Sequence, residues 1–209
     1  VLNLLFFHTG GKQGTQVSRA VGKSVSLQQL NGASREEFVS ALRPLFNNET
    51  WPLELAWESR PFGDVNELRA AIQVAVLTAD DSRRAALIHD YPAMDELLLA
   101  DADEAATISA DRGSLGLTDL DDVQTERITE LSAAYRERFD MPFVAYLDTN
   151  DTVDRVIDAG VRRLANSPEQ ENRTALGEIV EIANDRFDIL LADANPVRSS
   201  WDRKFTEVD

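Results

Sequence analysis

Asn172–Leu191 reads NRTALGEIVEIANDRFDILL. Leu176, Ile179, Ile182, Ala183 and Phe187 recur in it at three- and four-residue intervals. That spacing lines one face of a helix with apolar groups, and other helices must cover the face. Upstream segments carry the same period. Thr152 to Ala165 reads as a helix, and Thr118 to Phe139 as a long one with Val123, Ile128, Leu131, Ala134 and Tyr135 inward. Asp140-Met141-Pro142 ends it, and Phe143 to Leu147 is a short apolar run without a partner strand, hence buried extended backbone. Asp111 to Gly116 is a loop.

Towards the N-terminus, Met94 to Ala106 reads as a helix that is acidic on its outer side. Asp80-Asp81-Ser82 caps a short helix ending near His89, and Pro92 breaks the chain there. Asp64 caps Val65 to Ala79, whose Ala71, Val74 and Ala75 form a small, packable face. Trp51-Pro52 opens a helix with Leu53, Ala56 and Trp57 inward. Ser34 before Arg35-Glu36-Glu37 fits a capping box leading to Phe38, Leu42 and Leu45. The expectation is an all-α single compact bundle of about eight helices. Residues 1–23 read as a loosely ordered arm, 24–195 as the helical domain and 196–209 as a polar tail. Val1 is not a methionine, and Val1 to Phe7 reads as the remnant of a leader or as upstream sequence.

Composition excludes whole classes of function. The 209 residues carry a net charge of −16, which repels nucleic acid and anionic lipid, so no nucleic-acid partner is expected. No apolar run approaches a membrane span, and a cytoplasmic protein is expected. There is no cysteine, and the two histidines are His8 and His89. Thiol chemistry, cysteine-based metal sites and a multi-histidine site in the helical region are therefore excluded. Three lysines against eighteen arginines fit a high-GC genome or, given the abundant aspartate, a high-salt cytoplasm. Trp51, Trp57 and Phe62 read as core. The acidic stretch Asp95 to Glu104 lacks the spacing and the glycine of a calcium loop and reads as a solvated helix face.

Several phrases, in order, resemble one family. They are Leu30-Asn31, Glu37-Phe38 with Leu42, Trp51, Arg60-Pro61-Phe62, and Leu87-Ile88 leading to Pro92. They continue with Leu115-Gly116-Leu117, Tyr135-Arg136-Glu137-Arg138-Phe139, Pro142-Phe143, Arg163-Leu164-Ala165-Asn166, Ala175-Leu176-Gly177-Glu178, and Ile182-Ala183 with Arg186. Over about Ser26 to Leu191 the chain is similar to the 2-oxo-4-hydroxy-4-carboxy-5-ureidoimidazoline (OHCU) decarboxylases, which complete the conversion of urate to (S)-allantoin. The resemblance implies an all-α homodimer that uses no cofactor and takes a small anionic ureidoimidazoline substrate.

Loss of CO₂ from that substrate leaves charge that its ring must hold. A site must therefore bind an anion, stabilise developing charge and deliver a proton to one face. Arginine suits the first task, and the family's arginine maps to Arg186. Its pocket-lining backbone maps to Phe143, Val144, Ala145, Tyr146 and Leu147, and its proline to Pro92. The family's histidine position aligns with Tyr91; His89 lies two residues away and reaches the pocket only if the turn bulges. A phenol with pKa of about 10 donates a proton more readily than it accepts one. Asp111 falls at the family's glutamate and Arg112 at its glutamine, where a further positive charge implies a more anionic ligand if it faces inward. The altered polar set leaves two other readings beside the family reaction: a divergent enzyme on another small carboxylate, or a non-catalytic helical module.

Overall fold

A computed structural model describes residues 24–47, 49–99, 120–146 and 152–191. In chain order these form α1 (Leu27–Gly32), α2 (Arg35–Leu42), a 3₁₀ turn (Arg43–Phe46), α3 (Trp51–Glu58), α4 (Val65–Thr78), α5 (Asp81–His89), α6 (Met94–Leu99), α7 (Asp122–Phe139), α8 (Val153–Arg163) and α9 (Pro168–Leu190). Among the described residues there is no strand, only an isolated parallel bridge between Val25 and Leu191. The all-α expectation holds. The arm, the tail and the Asp111 loop lie outside the described residues.

Local side-chain chemistry starts most of the helices. Ser34 caps α2 with a full capping box, its hydroxyl accepting from the Glu37 N–H while Glu37 returns a bond to the Ser34 N–H. Asp64 and Asp80 accept from the third N–H of α4 and α5. The last helix begins a turn earlier than its apolar stripe suggests, because Ser167-Pro168 with Gln170 forms another capping box.

The helices enclose two apolar clusters. The larger joins Phe38, Leu42, Phe46, Leu53, Leu68, Ile72, Leu87, Ile88 and Tyr91 to the Leu176–Phe187 face of α9. The smaller joins Met94, Ile128, Leu131, Tyr135, Phe143, Val156 and Ile157. Phe62 is buried, and Trp51 and Trp57 pack partly buried against the larger cluster, as a core reading requires.

Two phrases far apart in the chain turn out to be one joint. The Asn31 side chain donates to Phe62 O at 2.8 Å and accepts from Phe62 N–H at 2.9 Å. Arg60 Nη1 donates to the carbonyls of Leu30, Asn31 and Ala33, satisfying the end of α1, while its guanidinium stacks 4.3 Å from the Trp57 ring centroid.

Three assignments need correction. Val74 is 57% exposed, because α4 turns Leu68, Ile72, Ala75 and Val76 inward instead. Val123, expected inward, is 64% exposed in the first turn of α7, which turns Ile128, Leu131 and Tyr135 inward instead. Asp95 is not a solvated face residue: its carboxylate takes two 2.9 Å bonds from Arg136 of α7, and its side chain is 13% exposed.

Candidate active site

Of the expected site residues that the structure describes, Arg186 stands on α9 and Tyr146 reaches the same helix through Asp185. Arg186, half-buried on α9, donates from Nη1 to Pro44 O and Leu45 O, both at 3.2 Å, and to Asn47 Oδ1 at 3.0 Å. The guanidinium is thereby anchored over the exit of the 3₁₀ turn. Asn47 turns the chain there with a positive φ of 55°. Its Nδ2 is buried without a hydrogen-bond partner.

Two residues on, Glu49 leads to Tyr91. Burial pushes the Glu49 carboxyl up, and a hydrogen bond and charge repulsion from the Asp90 carboxyl push it further the same way. Asp90 closes α5, and Tyr91 follows it, 8% exposed within the larger apolar cluster. Pro92 next to it is half-buried. His89 is the last residue of α5 and is exposed.

From the other side comes the Phe143–Tyr146 segment. It has no regular secondary structure; Phe143 and Val144 are buried, and Ala145 and Tyr146 half-buried. The Tyr146 hydroxyl hydrogen-bonds Asp185, next to Arg186, at 3.0 Å. Asp111, Arg112 and Leu147 lie outside the described residues.

A charged group that the sequence reading passed over braces the arginine that holds this segment. Glu171 on α9 has no exposed surface. Its Oε1 accepts from Arg163 Nε at 2.9 Å, from Arg163 Nη2 at 2.6 Å and from the Tyr135 hydroxyl at 3.2 Å; its Oε2 accepts from Asn166 Nδ2 at 2.8 Å. Burial raises the Tyr135 phenol well above its ordinary range, so it stays a donor. Arg163, closing α8, also reaches Val144 O and Glu178. Arg163 and Glu178 stand within the family-like phrases, which was the available signal. Glu171 carried none, since its burial needs three elements to meet.

A family model described as OHCU decarboxylase matches residues 31–188. The chain is 37% identical over 165 residues to the 2-oxo-4-hydroxy-4-carboxy-5-ureidoimidazoline decarboxylase of Haloferax volcanii, covering 78% of this chain and 94% of that one. It is 32% identical over 181 residues to the Mus musculus protein of the same description, covering 83% and 98%. A crystal structure of (S)-allantoin synthase shares the fold with a TM-score of 0.61 at 22% identity, covering 80% of this chain and 54% of that longer one. The chain belongs to the OHCU decarboxylase family.

Proposed function

We propose that the protein is a carboxy-lyase that converts 2-oxo-4-hydroxy-4-carboxy-5-ureidoimidazoline to (S)-allantoin in urate breakdown, working as a cytoplasmic homodimer. The observation that carries the reading is the anchored Arg186 guanidinium on α9, with the Tyr146 hydroxyl bonded to the adjacent Asp185 and the Val144–Tyr146 main chain held by Arg163 and Glu178. Membership in the family and the close relatives supply the substrate class.

In this reading Arg186 draws the substrate carboxylate in with a charge fixed by its anchored guanidinium. The bond between that carboxylate and the ring carbon breaks, CO₂ leaves, and the electron pair passes into the imidazoline ring. The Tyr91 hydroxyl then donates its proton to the carbon from one face and is reprotonated by solvent. Pro92 and the Phe143–Leu147 main chain hold the ring. Asp111 and Arg112 read the ureido end, and His89 is the alternative acid.

The test is turnover of 5-hydroxyisourate, freshly made and hydrolysed in situ, with and without the protein. Circular dichroism of the allantoin is the readout. Faster appearance of one enantiomer is expected. Racemic allantoin at the spontaneous rate, with folded protein present, would sink the decarboxylase and leave a divergent pocket for another small carboxylate, which the tyrosine at the family's histidine position favours.

A further inference from the structure

A segment that belongs to neither helix nor strand must have its main-chain polar groups met from elsewhere. In the Phe143–Tyr146 segment one ion pair meets two of them. Arg163 Nη1 donates to Val144 O at 3.0 Å and to Glu178 Oε1 at 3.3 Å, while Glu178 Oε2 accepts the Tyr146 N–H at 2.7 Å. The pair therefore grips the chain at a carbonyl and at an amide two residues apart.

The grip is rigid because its parts are held in turn. The other nitrogens of Arg163 are committed to the buried Glu171, and its guanidinium lies 5.3 Å from the Phe143 ring centroid. Glu178 is 27% exposed, with Arg163 on α8, Glu171 and Glu181 on its own helix, and Tyr135 on α7 as its charged and titratable surroundings. Burial pushes its carboxyl up, opposed by the Tyr146 N–H and by Arg163. Charge-assisted bonds to main-chain groups are short and directional, so they fix position more tightly than apolar packing does.

We propose that Glu178, backed by Arg163, is a positioning residue for decarboxylation, setting the Val144–Tyr146 main chain at the depth the substrate ring requires. This rests on the decarboxylase reading above. Misplacing a pocket wall by about 1 Å can lower a rate on the order of 100-fold.

The experiment compares wild type with Glu178→Ala, Glu178→Gln, Arg163→Lys and, as a control, Glu181→Ala at an exposed position one turn on. Hydrogen exchange at the Tyr146 amide is read without substrate. Both kcat and KM for ureidoimidazoline turnover are read well below the melting temperature. For Glu178→Ala, faster exchange at Tyr146 and a kcat/KM lower by about 100-fold are expected, with the helical signal kept. Glu178→Gln retains an oxygen for the amide and should recover about tenfold of that loss. The control should match wild type. If Glu178→Ala does not fold, Glu178→Gln and Arg163→Lys carry the test, each expected to lower kcat/KM while remaining folded. With wild type active, a folded Glu178 variant that has wild-type kcat/KM, or an unchanged Tyr146 exchange rate, overturns the positioning role. A wild type without turnover overturns the decarboxylase reading itself, and the positioning role with it.

Discussion

Arg163 and Glu171 lie 2.6 Å apart at the junction of α8 and α9, with the carboxylate fully buried. Such a pair contributes little net stability over an apolar substitute, but breaking one half leaves an uncompensated charge. Glu171→Ala is therefore expected to cost about 3–5 kcal/mol, and Glu171→Gln less, since the amide oxygen can still accept. Urea unfolding measures both; a loss below about 1 kcal/mol for the alanine would mean that Arg163 swings out to solvent.

Gly160 shows how close α8 comes to the pocket segment. A Cβ built there would lie 2.5 Å from Leu131 Cδ2 and 2.7 Å from Phe143 Cζ. Both neighbours are buried, so neither gives way easily. Gly160→Ala gains helix propensity of about 1 kcal/mol but overpacks the core, which typically costs about 1–3 kcal/mol. A lower melting temperature is expected. Because Phe143 must shift, kcat/KM should fall as well. Unchanged values for both would show that the cluster has room that the distances deny.

Tyr91 separates packing from chemistry cleanly. Tyr91→Phe keeps the ring in the apolar cluster and removes only the hydroxyl. If the hydroxyl is the acid, turnover should fall by about 10²–10⁴-fold while the protein stays folded. A wild-type rate would take Tyr91 out of the mechanism and leave His89 to be tested by the same assay.

Asp95 predicts a pH dependence of stability. Burial pushes its carboxyl up, but the hydrogen bonds and charge of Arg136 outweigh that and hold it below the ordinary aspartate value. A depressed folded-state value stabilises the fold at pH above the unfolded value of about 3.9 and is lost as pH falls towards the folded one. Asp95→Asn should therefore be less stable than wild type at neutral pH, and the gap should narrow below pH of about 4. A gap that stays constant down to strongly acid pH would show that the ionised carboxylate is not the source.

The sequence by itself determined the helices, because their starts are local: a Ser or Asp side chain bonds an N–H three residues away, and Ser34, Asp64 and Asp80 are legible for that reason. It also determined family membership, through phrases such as Leu30-Asn31 and Arg60-Pro61-Phe62 that proved to be a joint of the scaffold. Only the tertiary structure decided which apolar residues face inward. Val74 and Val123 satisfy a helical period yet point to solvent, since the inward face is set by neighbouring helices. Burial of Glu171, the grip of Arg163 and Glu178 on Val144 and Tyr146, and the anchoring of Arg186 over Asn47 also needed the fold. Each joins elements far apart in the chain, and a charge becomes worth burying only once its partners have been brought to it.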